Sequence, residues 1–245
     1  MLIPLLISAA FAAVPKGTEA MLIRMENLRV QPIELAPFVA DEDPEVRARA
    51  AVSLSRLKNT AALEPLRGLV NDPNEDVRLA AAFALGQVAG SQRTLNERLA
   101  NEASTDVRAA LVRALGLQGD AWDIDTLEDL LQQPVDKEHS TEEIAAAAYS
   151  LGQMAIRGVP AVGIDRVVRT LTHQTRRRQT QIRYMAAFAL ARIRSNTSAR
   201  GVGDELIQAA IDEYDAPTRA FLLRAASRFP GADAALREAA RHASI

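Results

Sequence analysis

The 245-residue chain has no cysteine, one tryptophan and three histidines. Without cysteine there is no disulfide, no thiol nucleophile and no thiolate-bound metal. His139, His173 and His242 are too scattered in sequence to form a ligand or catalytic motif. The spellings H-E-x-x-H, G-x-S-x-G and the phosphate-cradling P-loop are all missing. Gly201-Val-Gly203 has neither a strand before it nor a third glycine, and reads as a turn. The acidic run over 120–143 lacks the spaced Asp/Asn/Gly order of a calcium loop. These gaps leave no expected cofactor, metal or catalytic residue. No segment alternates like a strand between turn residues, so the chain reads as all-α.

What is present is a repeated stripe. Steps of four, four and three from Val46 give Ala50, Leu54 and Leu57, and from Val77 give Ala81, Leu85 and Val88. The same steps from Ile182 give Ala186, Leu190 and Ile193. Looser copies start at Val107, Glu143 and Thr218. Such steps stay on one face of a 3.6-residue helix, so each copy is one amphipathic helix. Between the stripes lie second apolar faces: Leu63, Leu66 and Val70; Leu95 and Leu99; Leu127, Leu130 and Leu131; Val167, Val168 and Leu171; Leu206, Ala210 and Ile211. Each unit is therefore a helix pair, A then B, with the stripe on B. Neither helix buries its face alone, and stacking creates the core.

Local signals agree. Asp43-Pro44 and Asp72-Pro73 each offer a carboxylate cap and a proline at the first helical position. Gly86, Gly116 and Gly152 follow the stripe leucine, where a small residue lets a neighbouring helix pass close. The uncharged stretch over 1–12 reads as a secretory signal with Ala10-Phe11-Ala12 as its cleavage site, implying export to the periplasm rather than a cytoplasmic location. It is far too short to span a membrane, which takes about 20 residues.

Arginine follows the first stripe position in five copies (Arg47, Arg78, Arg108, Arg183, Arg219), and Ile144 replaces it in the other. The column either contacts an acidic partner or bonds acids and helix ends of adjacent repeats. The acids at the B-helix starts favour the second reading. Charge is also segregated: residues 120–143 hold nine acids against Lys137, and residues 157–200 hold ten arginines against Asp165. Arg176-Arg177-Arg178 is the densest point. Such blocks either steer a charged partner or neutralise each other across the fold.

Residues Asp72-Pro-Asn-Glu-Asp-Val77-Arg78-Leu-Ala80-Ala81-Ala-Phe-Ala-Leu85-Gly86 resemble the short HEAT repeat known from the phycobiliprotein-lyase-like HEAT family of bacteria. The resemblance runs over roughly residues 30–230. It implies a right-handed, armadillo-like α-α superhelix of about six helix pairs, a single solenoid over 19–243, with B helices on the concave side. It also implies a scaffold or adaptor for other proteins. Iron-dependent relatives carry His-Glu pairs, whereas Glu138-His139 stands in reverse order here. Glycosylase relatives use an aromatic-lined basic cleft, whereas Trp122 lies in an acidic segment. Some secreted bacterial arrays that resemble this one precede a prolyl isomerase domain, and these 245 residues contain no segment that reads as one.

The expectation is thus a non-enzymatic module that binds an as yet unknown protein partner, with Arg176, Arg177, Arg178, Arg183, Arg192 and Arg194 as its binding surface. Arg47, Arg78, Arg108 and Arg219, with Asp43 and Asp72, are expected to be structural. Polyanion binding through 157–200 is the alternative, and a bilin-lyase-like activity the third. Overall acidity and the scarcity of aromatics argue against nucleic acid. Because Leu85 is a stripe residue, Leu85→Ala should cost about 2–5 kcal/mol in urea unfolding; a change within about 0.5 kcal/mol would mean it is not core.

Overall fold

Apolar faces that recur every 30 to 39 residues can be buried only by stacking, and the structure does this with helices alone. The computed structural model describes residues 14–159, 164–193 and 201–228. The leader-like stretch 1–12 lies outside them. All regular structure among the described residues is helical, and no described helix is long and apolar enough to cross a membrane.

The chain divides into two compact units, Met1–Gln118 and Gly119–Ile245. In the first, α1 (Lys16–Leu28) precedes three helix pairs. A 3-10 turn (Pro32–Leu35) and α2 (Ala36–Val39) pair with α3 (Pro44–Arg56); α4 (Leu63–Leu69) with α5 (Glu75–Leu85); α6 (Gln92–Leu99) with α7 (Thr105–Gln118). The second unit pairs α8 (Asp123–Gln132) with α9 (Thr141–Ile156), α10 (Ile164–Gln174) with α11 (Thr180–Leu190), and α12 (Val202–Asp212) with α13 (Ala216–Ala226). B helices stack on B helices: α3 on α5 and α5 on α7, then α9 on α11 and α11 on α13.

The stripes are the core. Val46, Ala50, Leu54, Val77, Ala81, Leu85, Val107, Leu111, Leu115, Ala147, Leu151, Ile182, Ala186, Leu190, Leu222 and Ala226 are all buried. Two sequence expectations need correction. Asn74, not Asp72, caps α5 by accepting from the Val77 N–H, because the Asp72 carboxylate is drawn away to Arg47. In α12 the buried residue is Ile207, while Ile211 is half exposed, since the inward face runs through Leu206, Ile207 and Ala210.

Small residues set the distance between B helices. A Cβ built on Gly86 would stand 3.1 Å from Ala114, and one on Gly152 would stand 2.5 Å from the Ala189 Cβ. Gly68, on α4, faces open space.

The arginine column joins the repeats. Arg47 donates to the carbonyls of Asp41 and Glu42 at 2.8 and 3.0 Å, closing the loop before its own helix. It also grips Asp72 of the next loop with two bonds of 2.8 and 2.9 Å. Arg78 repeats this on the carbonyls of Asp72 and Pro73 and on the Glu102 carboxylate. Arg183 does so on Arg177, Arg178 and Glu213. Arg108 and Arg219 make the same own-loop bonds, to the carbonyls of Glu102 and Glu213. Each carboxylate also accepts the backbone N–H two residues on: Asn74 for Asp72, Ser104 for Glu102 and Asp215 for Glu213. The acid therefore stands six residues before the arginine of its own repeat and bonds the arginine of the preceding one.

Burial pushes Asp72 and Glu102 up, but the bonds from Arg47, from Arg78 and Arg98, and from the backbone outweigh it and hold both below their ordinary values. The Arg183 bond holds Glu213 down likewise, against the opposing effect of burial.

The rung between the fourth and fifth pairs is inverted. Buried Ile144 takes the arginine position, and Arg177 takes the position of the acid. Arg177 reaches back instead, donating to the carbonyls of Leu131 and Gln133.

Gly152→Ala should destabilise the protein by about 1–3 kcal/mol in urea unfolding, because backbone or Ala189 must move. Gly68→Ala should be neutral or stabilising by up to about 1 kcal/mol. Carboxyls with depressed folded pKa values stabilise the fold above their unfolded values, and that stability is lost as pH falls through the folded ones. Stability should accordingly drop once the pH passes below the ordinary glutamate value of 4.5. Glu102→Gln should cost about 1–3 kcal/mol at pH 7 and flatten the acid limb of a stability-versus-pH curve.

Candidate functional site

The ten-arginine segment is largely spoken for. Arg166 of α10 binds both Asp125 and Glu128 of α8, and the Thr170 hydroxyl donates to Glu128 at 2.9 Å. The acidic and basic stretches thus meet within the second unit, at these residues. In the insertion before α11, Arg177 is bound to the carbonyls of Leu131 and Gln133 and to the Gln174 side chain. Arg183 is spent on Glu213 and its own loop. Arg176 is exposed and reaches Glu205 at 3.4 Å. Arg178 points to solvent with no ion pair among the described residues. Arg194 lies outside the described residues.

Glu143, which enters the apolar stripe, is fully buried. Its carboxylate sits 3.3 Å from the His139 ring, and its N–H bonds the Ser140 hydroxyl, the cap of α9. This is a satisfied polar group at a helix start. Among the described residues, no group of three His, Asp or Glu is arranged to hold a metal ion. Trp122 is 83% exposed and stands just before α8 among Asp120, Asp123 and Asp125.

Arg192 leads elsewhere. Its guanidinium lies 5.1 Å from the ring centre of Phe188, a cation–π contact worth about 0.5–1 kcal/mol at an exposed site. Phe188 belongs to an aromatic cluster drawn from three successive B helices. It lies near-parallel to Tyr149 of α9 at 6.3 Å and to Tyr184 of α11 at 6.4 Å. Phe221 of α13 meets Phe188 and Tyr184 edge-on at 5.2 and 5.5 Å. Beside it opens a groove of about 530 Å³. Small residues Ala155 and Ala191 line it together with the rings of Phe188 and Phe221. Arg192, Arg224 and Arg228 line it as well, with no acid among the described residues of its walls. Arg228 also donates to the Ile193 carbonyl at 2.5 Å, which orients it. Ile156, at the end of α9, is 41% exposed on the same wall.

Sequence reading found Arg192 but missed the groove. Tyr149 and Phe188 each stand six residues after a stripe start, as Arg224 does. That register was the available signal.

A HEAT-repeat family profile matches residues 34–97 and 69–152. A search of curated proteins returns no match. Among solved structures, the chain resembles YIBA of E. coli with a TM-score of 0.58 and 17% identity, covering 85% of this chain and 74% of that one. It also resembles the complex of CpcE and CpcF of phycocyanin lyase from Nostoc sp. PCC7120, with a TM-score of 0.54 and 19% identity over 68% of this chain and 99% of that one. A designed armadillo repeat protein aligns with a TM-score of 0.50 and 15% identity, over 81% of this chain and 99% of that one. At such identities these likenesses establish the fold. With the profile match and the stacked helix pairs, they make the chain a HEAT/armadillo-like repeat protein.

Proposed function

We propose that this chain is a non-catalytic scaffold that binds a partner protein through the aromatic–arginine groove of α9, α11 and α13. The observation that carries this reading is the groove's lining: Phe188, Phe221 and Ile156 partly open to solvent, with Arg192, Arg224 and Arg228 around them and no acid among the described residues. Arginine and aromatic side chains dominate interface energetics, and truncating one at an interface centre costs about 2 kcal/mol or more. The groove is built on stacked helices, so little ordering entropy opposes binding.

Polyanion binding through Arg176–Arg178 is a weaker reading, because Arg177 and Arg183 are consumed by internal bonds and Arg166 by Asp125 and Glu128. A lyase-type activity rests on fold likeness to the CpcE–CpcF complex alone. Export to the periplasm rests on the apolar stretch at 1–12.

The test is affinity capture with cross-linking mass spectrometry, run on the wild-type chain and on Arg224→Glu and Phe221→Ala variants with unchanged melting curves. A specific partner should cross-link to α9, α11 or α13, and either variant should reduce its capture at least tenfold. Capture indifferent to both changes would remove the groove from this role.

A further inference from the structure

The fold already contains one contact of the kind the groove would make. On α3, Arg49, Ser53 and Arg56 stand three, seven and ten residues after the stripe start at Val46. Helix α1 lies across them with Leu22 fully buried. Glu19 pairs with Arg49 at 2.8 Å, and Glu26 is shared by Arg49 at 2.6 Å, Ser53 at 2.7 Å and Arg56 at 2.8 Å. Glu19, Leu22 and Glu26 are spaced i, i+3 and i+7, so they share one face of α1. An acid, an apolar anchor and a second acid thus satisfy two arginines of a B helix.

The same register recurs around the groove. Arg192 and Arg228 stand ten residues after the stripe starts at Ile182 and Thr218, as Arg56 does after Val46. Phe221 takes the third position, held by Arg49 in α3, and Phe188 the sixth, held by Val52. In α3 this register is filled by the chain's own acidic helix. In α11 and α13 no described segment fills it, with Arg224 adding a third guanidinium and two phenyl rings enlarging the apolar seat.

Resting on the protein-partner reading above, we propose that the groove receives an amphipathic acidic helix of that partner, presenting one large apolar side chain between two carboxylates in the pattern Glu-x-x-Leu-x-x-x-Glu. The apolar side chain sits against Phe188 and Phe221 over Ala155 and Ala191, and the carboxylates take the arginines. A guanidinium offers a planar fork that fits a carboxylate with two hydrogen bonds, so an acidic helix end is fixed in orientation as well as held. A helix laid in an apolar groove is read through anchors at i, i+3 and i+7, the spacing α1 displays. A second copy's α1 is disfavoured as the occupant, because its acids and Leu22 are engaged on its own α3.

The test uses the full-length protein and a helix-constrained, fluorescent peptide with the sequence of Lys16–Leu28, read by fluorescence anisotropy. Saturable binding should weaken at least tenfold when the peptide carries Glu19→Gln and Glu26→Gln. It should weaken equally when the protein carries Arg192→Glu with Arg224→Glu. A peptide carrying Glu19→Lys and Glu26→Lys should regain binding to that double variant, which a folding defect would not allow. No binding, or equal binding of the glutamate and glutamine peptides, overturns the proposal. So does tighter binding of a single-stranded oligonucleotide that is lost in the same variant, or a dimer mass in light scattering. If a natural partner is captured through the groove but inserts no acidic helix, this inference fails while the protein-binding reading stands. If capture ignores the groove altogether, both fail.

Discussion

One guanidinium near the start of each of the B helices α3, α5 and α11 does two jobs, and the stacking of these repeats on the next depends on it. With one edge it satisfies carbonyls of the loop that leads into its own helix; with the other it holds a carboxylate in the next loop. The carboxylate is buried or nearly so: the Glu102 side chain has no exposure at all and Glu213 only 2%. Isolated surface pairs contribute little. Here each acid also accepts a backbone N–H, so its lone pairs are satisfied and the desolvation cost is offset by several charge-assisted bonds. The link fixes loop shape and repeat register together. Apolar burial alone is non-directional and would fix neither.

Much of the fold could be read from the chain because both signals are periodic. The stripe residues named from their four-four-three spacing are the buried ones, and the arginines after them bond loops and acids of neighbouring repeats. The partner acids were equally periodic and went unread: Asp41, Asp72, Glu102 and Glu213 each precede a stripe arginine by six residues. The role of Asp72, Glu102 and Glu213 is non-local, since each bonds the arginine of the previous repeat, and a search within one helix does not find it. The cap of α5 was misplaced for the same reason, Asp72 being occupied by a residue 25 positions away.

The groove was harder still. The rings of the cluster beside it, Tyr149, Tyr184, Phe188 and Phe221, are separated by up to 72 positions and look like ordinary scattered aromatics in a chain poor in them. Only alignment of the repeats by stripe register brings them to one face. The arginine cluster at 176–178 is conspicuous in sequence, yet Arg177 is occupied by loop-closing bonds, whereas the inconspicuous Arg192, Arg224 and Arg228 line the groove. Density along the chain is a poor guide to charge available at the surface of a solenoid. Position within the repeat decides it.

The inverted rung has a bearing on how such an array can be lengthened or shortened. The second pair carries an acid in its loop to receive from the pair before and an arginine to give to the pair after, so its two ends match and a duplicate can be spliced in. The fourth pair has lost its donor to Ile144, and the fifth has exchanged its acceptor for Arg177. Copying or deleting either alone would leave an arginine facing an arginine, or an acid facing isoleucine. Those two pairs form one indivisible cassette in an otherwise modular chain, and they contribute two of the three helices that border the groove.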